Sequence, residues 1–403
     1  MKINKDINSK NALAIVFLTV FIDLLGFGIV IPVLPGFALD LGKSVTQSNT
    51  PAFIAAAIFS FMQFISAPFW GSKSDQIGRR PVFLVSIAIS FVAYLIFGFT
   101  TSLWVLFLSR LLAGIGAGNF SAAQAYIADI TPPEKRAERY GLIGVAFGLG
   151  FIIGPFVGGA LKTHFGFESI GYVCAALCLI NFLYVYFFLP ESNLNLDKRK
   201  FKPLEVIAEM FEIAQRPKLR PIFLLFVMFI MAFSMMQVSS TVLWEQIYEL
   251  NSLQIGYIFS YIGICSALIQ GLFIKKFKKW FGERKMLLYG TLLMAVGIAG
   301  IPFAPVGKEF VMMFYFVQLS LLLIIAAANG LIMPASSSLV SSYSDSKEQG
   351  KVLGSMQSLG ALARGVGPFL GGFLYDWHPT APFLASGVLL VLCFVWVNFK
   401  ING

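Results

Sequence analysis

The chain has 403 residues, 57% of them hydrophobic and 12% charged, with 42 Phe and a formal net charge of +10. A soluble domain carries roughly a quarter charged residues, so water is not the main solvent of this chain. The positive balance would suit a nucleic-acid partner on a soluble surface, but here Lys and Arg fall in short segments between apolar runs, and nucleic acid is set aside.

Apolar runs of about 20 residues, enough for a helix to cross roughly 30 Å of hydrocarbon, recur twelve times. They lie at 12–34, 51–72, 81–101, 103–129, 138–162, 168–190, 218–243, 252–274, 286–304, 310–338, 350–374 and 381–399. The first follows Lys2, Lys5 and Lys10. It is too long for a signal peptide, contains Asp23 and lacks a clear small-residue cleavage site, so it reads as a retained span. Of the 30 Lys and Arg, all but Lys43, Lys162, Lys308 and the in-span Arg110 and Arg364 fall on the face that carries the termini. The positive-inside rule then makes both termini cytoplasmic, in a multi-pass protein of the cell (inner) membrane.

Asp23 sits about 11 residues into span 1, or roughly 16 Å deep. The loop after span 2 runs from Gly71 to Arg80 as G-x3-D-x2-G-R-R. Gly78 suits a tight turn there, and Gly71 a close backbone approach. Asp75 can meet a helix N-terminus or a cation and so latch this face, whereas Lys73, Arg79 and Arg80 can equally serve only to anchor topology. In span 4, Arg110 lies about 7 residues from the opposite face, at a depth comparable to Asp23, so the two can pair. A lone charge at that depth costs at least about 2.5 to 3.5 kcal/mol, so each needs a partner or a water-filled cavity.

Span 5 contains Gly141, Gly150, Gly154, Pro155, Gly158 and Gly159; span 11 contains Gly354, Gly367, Pro368, Gly371 and Gly372. The shared pattern G-x12-G-P-x-x-G-G, displaced by 213 residues, marks an internal duplication. Two repeated six-span halves with a site between them near mid-membrane are a common transporter plan. The glycines serve close helix packing, direct gating, or both. A weaker echo joins the loop after span 2 to Gly282-Glu283-Arg284-Lys285 after span 8, where no acid matches Asp75. The halves divide as 1–190 and 218–403, with 191–217 a basic linker in which Leu204 to Ile213 has amphipathic helical spacing.

Gln63, Asn119, Gln124, Gln237, Gln318, Asn329, Gln357 and Arg364 are the candidates for lining a central cavity, each alternatively a hydrogen-bonding tie between helices. Glu245, at the end of span 7, is a solvated rim acid or a partner for a cation, and Asp129 a cap or a loop salt-bridge partner. His164 and His378 fall in loops. Cys174, Cys178, Cys265 and Cys393 lie in spans, where packing is expected and a disulfide framework or metal site is not.

Together these residues resemble the major facilitator superfamily. Gly71 to Arg80 looks like its signature loop. The run from Asp23 to Pro35, Arg110 to Gly116 in span 4, and Gly150 to Gly159 in span 5 resemble its twelve-span drug/proton antiporter branch. Within that branch Gln63 to Pro68 and Tyr126 to Thr131 read as tetracycline/proton exporters do. The resemblance implies an all-α fold of two six-helix halves around a central cavity, acting as a monomer without cofactor or metal, the proton being the coupling ion. It implies export of a small amphiphilic drug or metabolite in exchange for protons by alternating access, with multidrug resistance as a possible outcome. Desolvation of Asp23 would favour its protonated form and Arg110 its ionised form, or the two form a permanent structural pair. A uniporter or proton-coupled importer on the same fold is the alternative, and a non-transporting sensor or an enzyme has no supporting feature. Three functional side chains of the tetracycline exporters are missing, their places taken by Ala93, Ser266 and Met294. Tetracycline is therefore not the expected substrate.

Overall fold

The structure, a computed structural model, describes residues 9–42, 48–132, 136–193, 196, 203–307, 309, 311–344 and 348–400. In hydrocarbon every backbone N–H and C=O must be satisfied within the segment, so apolar runs of this length fold as helices. The first half comprises α1 (Ser9–Val30), α2 (Leu34–Gly42), α3 (Thr50–Ile77), α4 (Arg79–Gly98), α5 (Leu103–Gly116), α6 (Phe120–Ile130), α7 (Arg136–Phe165) and α8 (Phe167–Phe188). After the linker helix α9 (Pro203–Gln215) come α10 (Arg220–Gln246), α11 (Ser252–Leu268), α12 (Ile274–Gly300), α13 (Val311–Ser342), α14 (Gln349–Trp377) and α15 (Ala381–Lys400).

Nine helical stretches among the described residues are long and apolar enough to cross a membrane, α5 and α6 counting as one, and Ala381–Trp396 in α15 is a shorter apolar stretch. The remaining two expected spans are α7 and α14, 30 and 29 residues long, whose apolar character is diluted by the repeated glycines and by charged ends.

Three departures from the expected spans shape the interior. The first span ends at Val30 instead of near 34, because the chain turns through Ile31, Pro32 and Val33 into the short helix α2. Span 4 is broken by one 3-10 turn, Ala117–Asn119, which presents Asn119 to α1. Span 8 passes through a π-helical turn, Ile269–Phe273. α7, by contrast, runs unbroken through Pro155.

The duplicated glycines occupy equivalent seams. In α7, a side chain at Gly154 or Gly158 would strike the α1 backbone at Gly28 and Ile29, and one at Gly159 would strike Ser252 and Leu253 of α11. In α14, Gly367 and Gly371 face Met231, Ser234 and Met235 of α10, and Gly372 faces Phe53 of α3. Each half thus uses its first glycines against its own leading helix and the last against the opposite half. The loop echo has a backbone counterpart as well: Gly78 and Gly282 both adopt positive φ, +99° and +70°, a region costly for any residue with a Cβ. Gly141 lies in α7, but its surroundings fall outside the described residues.

Replacing Gly158 by Val would force a side chain into the Ile29 carbonyl, and overpacking of this kind costs about 1–3 kcal/mol or more. Gly148 has no neighbour within 4 Å, and Ala there should change stability by no more than about 1 kcal/mol. Melting of the detergent-solubilised variants should therefore put G158V a few degrees below G148A; equal melting would contradict the seam.

Candidate functional site: a charged cavity between the halves

The two halves enclose a cavity with two lobes that share Phe27, Phe59 and Arg364. The lobe nearer the terminal face is lined by Asp23, Gln63, Asn119 and Phe120. The lobe nearer the far face is lined by Arg110, Ser60, Ser234, Gln237 and a largely apolar remainder. Four of the expected side chains besides Asp23 and Arg110 therefore reach the cavity: Gln63, Asn119, Gln237 and Arg364.

Asp23 does not pair with Arg110. Its carboxylate accepts a hydrogen bond from Asn119 Nδ2 at 2.9 Å, and the same amide reaches Ser86 Oγ at 3.1 Å. The 3-10 turn in span 4 makes this possible by placing Asn119 against α1. Arg110, only 2% exposed, turns the other way, toward α4, and lies over the rings of Phe97 at 4.7 Å and Tyr94 at 5.6 Å. Counting residues along a span fixes neither the lobe a side chain enters nor the direction in which it leaves its helix. The guanidinium has a long contact to Ser109 Oγ at 3.4 Å, and its Nη2 has no hydrogen-bond partner. Stacking on rings supplies up to about 2 kcal/mol when desolvated, which falls short of the cost of a lone charge at this depth. Arg364 likewise has no hydrogen bond or ion pair among the described residues, and it borders both lobes.

The other expected cavity residues lie elsewhere. Gln318 is fully buried and donates to the Ile301 carbonyl at 2.9 Å, tying α13 to the turn after α12. Gln124 faces Gly354 of α14 on the terminal side of the cavity. Asn329 and Gln357 border neither lobe. The free cysteines Cys174, Cys178 and Cys393 are buried in the packing, with Cys265 partly so.

On the terminal face, the segment from Gly71 to Arg80, expected as a loop, is instead the end of α3 and the start of α4 joined at Gly78, and it is braced within its own half. Arg79 bridges Asp75 at 2.6 Å and Asp129 at 3.1 Å, and Glu191 accepts from the backbone N–H groups of Arg79 and Arg80 at 2.8 and 3.0 Å. That carboxylate caps α4, where the helix dipole favours it, and the space it fills is open only because residue 78 is glycine. Gly71 admits Ser121 of α6. The described latches between the halves sit instead on the far face. Lys162 bridges Glu245 at 3.2 Å, giving that rim acid its cation. Asp376 accepts from Ser48 Oγ, from Asn49 N at 2.9 Å and from Thr50 Oγ1 at 2.5 Å, at the start of α3. Between these points Ser260 of α11 donates to the Ile152 carbonyl of α7 at 2.7 Å. The far side of the cavity is thus closed by cross-half contacts. Neither Glu191 nor Asp376 carries a local sequence signal, since each works by meeting residues more than a hundred positions away.

This geometry, a cavity with buried charges between two repeated six-helix halves, coincides with a match of the chain to the Major Facilitator Superfamily over residues 16–368 and 280–401. The chain belongs to that superfamily. It is a multi-pass membrane transporter of small molecules. It is 31% identical over 396 residues to the class C tetracycline resistance protein of Escherichia coli, covering 95% of this chain and 96% of that protein. It is 28% identical to major facilitator superfamily domain-containing protein 10 of Homo sapiens, over 91% of this chain and 88% of the relative. The crystal structure of the human organic anion transporter MFSD10 superposes with a TM-score of 0.73 at 26% identity, covering 97% of this chain and all of that one.

The far-side closure makes a pH-dependent expectation. Burial pushes the Asp376 carboxyl up, but hydrogen bonds from Ser48, Thr50 and the backbone outweigh it and hold the carboxyl below the usual carboxylate range. A group depressed in the closed state stabilises closure fully above its ordinary value, about 3.9, and loses that contribution as pH falls below it. In a cysteine-free background, the rate at which Ser60→Cys reacts from the far side with an impermeant maleimide, divided by that of a fully exposed cysteine at the same pH so that thiolate ionisation cancels, should be constant from about pH 5 to 8 and higher below about 4. Adding Asp376→Asn should raise the rate several-fold at neutral pH. Unchanged labelling in that variant would remove Asp376 from the closure.

Proposed function

We propose that this transporter exports a small amphiphilic compound, a drug or a metabolite, in exchange for protons, acting as a monomer in the cell membrane with the terminal face cytoplasmic. The observation that carries the reading is Asp23, a carboxylate bordering the central cavity whose hydrogen bond comes from a neutral amide and whose charge has no cationic partner among the described residues. Such a group can gain and lose a proton without dismantling an ion pair. The far-side closure corresponds to one end of an alternating-access cycle in which the glycine seams of α7 and α14 let the halves rock. The basic excess on the terminal face supports the orientation.

The substrate class follows from the walls: aromatic and aliphatic side chains with few polar groups suit an amphiphile. The relatives named for tetracycline resistance and for organic anion transport support a compound of that kind. Tetracycline itself is disfavoured. Ala93 and Met294 are fully buried in the packing, and Ser266 is turned toward the Ala326 carbonyl, so none supplies a titratable group to the cavity.

A second reading, proton-coupled uptake, is favoured by one feature: two guanidinium groups border the cavity against one carboxylate. An anion near Asp23 would favour protonation, so anion and proton would bind together and travel the same way. Inverted and right-side-out vesicles under a pH gradient that is acid on the side of the far face separate the two, since exchange accumulates a fluorescent amphiphile only in the former and cotransport only in the latter. In either case Asp23→Asn should lower gradient-driven flux by at least about 100-fold with the protein still in the membrane. Undiminished pH-dependent flux would eliminate Asp23 as the proton carrier.

A further inference from the structure

We infer that the far-side lobe is a binding site for an anionic group, a carboxylate, sulfonate or phosphate, carried by an amphiphile and held between Arg110 and Arg364. The inference rests on the transporter reading but not on the direction or coupling of transport. Four observations lead to it. Arg110 is 2% exposed and borders this lobe, and its Nη2, buried on the α4 side where the guanidinium lies over Phe97 and Tyr94, has no hydrogen-bond partner in the protein. Arg364 comes from the opposite half to the same lobe and has no hydrogen-bond or ion-pair partner among the described residues. Among the described residues, the remaining polar groups of the lobe are neutral, Ser60, Ser234 and Gln237, and its charged residues are the two arginines. Asp23, the one carboxylate that borders the cavity among the described residues, lies in the other lobe and is engaged by Asn119.

Buried guanidinium groups are kept when something anionic satisfies them, because a planar fork matches a carboxylate, sulfonate or phosphate with paired hydrogen bonds. Among the described residues the protein supplies no such anion here, so the occupant must. Phe27 and Phe59, stacked at 5.1 Å between ring centroids, form an apolar wall shared by both lobes for the body of the same molecule. An occupant bound by one arginine from each half also draws the halves together around it. Arg364 borders the lobe of Asp23 as well, so it is the residue through which the anion and the carboxylate sense each other.

Equilibrium binding to the full-length protein in nanodiscs tests this with naphthalene-2-sulfonate, its neutral sulfonamide and 2-naphthylmethylammonium, measured by calorimetry at neutral pH. The wild type should bind the sulfonate at least about 10-fold more tightly than the sulfonamide, and the cation most weakly, since hydrogen bonds to charged groups are the stronger ones. Arg364→Met should reduce the preference for sulfonate over sulfonamide to within about 2-fold, and Arg364→Lys, which keeps the charge but not the fork, should retain part of it. Equal affinity for the three probes in the wild type, no sulfonate binding up to about 1 mM, or an undiminished preference in Arg364→Met would overturn the site. Should Arg364→Met fail to fold, the wild-type ranking and Arg364→Lys still decide, the latter against the site if its preference equals that of the wild type. The measurement uses no gradient and no flux, so a failed exchange reading leaves it standing, and its failure leaves the Asp23 test standing.

Discussion

A charge inside a hydrocarbon slab must be given water or a partner, and the interior of this transporter is arranged around three that are not simply neutralised: Asp23, Arg110 and Arg364. None is paired with another in this conformer. Asp23 has an amide, Arg110 has two aromatic faces, and Arg364 has the cavity. Because the cost of an isolated charge at mid-depth is at least about 2.5 to 3.5 kcal/mol, a fold that keeps three of them must keep the cavity too. A chain selected for stability alone would have apolar side chains there.

The remaining architecture serves that cavity. The seams of α1 with α7 and of α10 with α14 are closed by glycine, against backbone on α1 and against backbone and side chains on α10, while the leading helix of each half also borders the cavity. Gly159 and Gly372 extend the same packing across the halves, against α11 and α3. The two halves are therefore alike in how they pack and unlike in what they present: Asp23, Asn119 and Arg110 from one, Arg364 and Gln237 from the other. Packing repeats and chemistry does not, which suits two similar bodies rocking about a single asymmetric site.

Much of this was legible in the sequence. Hydropathy located the helices, because lipid forces long apolar runs into helices. The duplicated glycine pattern identified the seams, and Gly78 forecast a turn that does require positive φ. Counting at 1.5 Å per residue put Asp23 and Arg110 level, whereas the structure gives them to different lobes of the cavity. Azimuth was not legible either. Arg110 leaves α5 toward Phe97 and Tyr94, and a single 3-10 turn that no local signal announces brings Asn119 to Asp23 in its place. Gln318 failed as a cavity residue for the same reason, since an amide in a span signals only that it needs a partner, and here the partner is the Ile301 carbonyl. The bracing by Glu191 and the closure by Asp376 and Lys162 depend on contacts between distant segments, which spacing cannot supply.

The central claim is that Asp23 exchanges protons with water in the cavity. The most direct measurement is infrared difference spectroscopy of the protein in lipid vesicles on a step in pH, in H2O and in D2O, comparing wild type with Asp23→Asn. A protonated-carboxyl band that appears as pH falls, shifts promptly in D2O and is absent from the variant is the result expected. A band identical in both proteins, or one from Asp23 that never shifts in D2O, would contradict it.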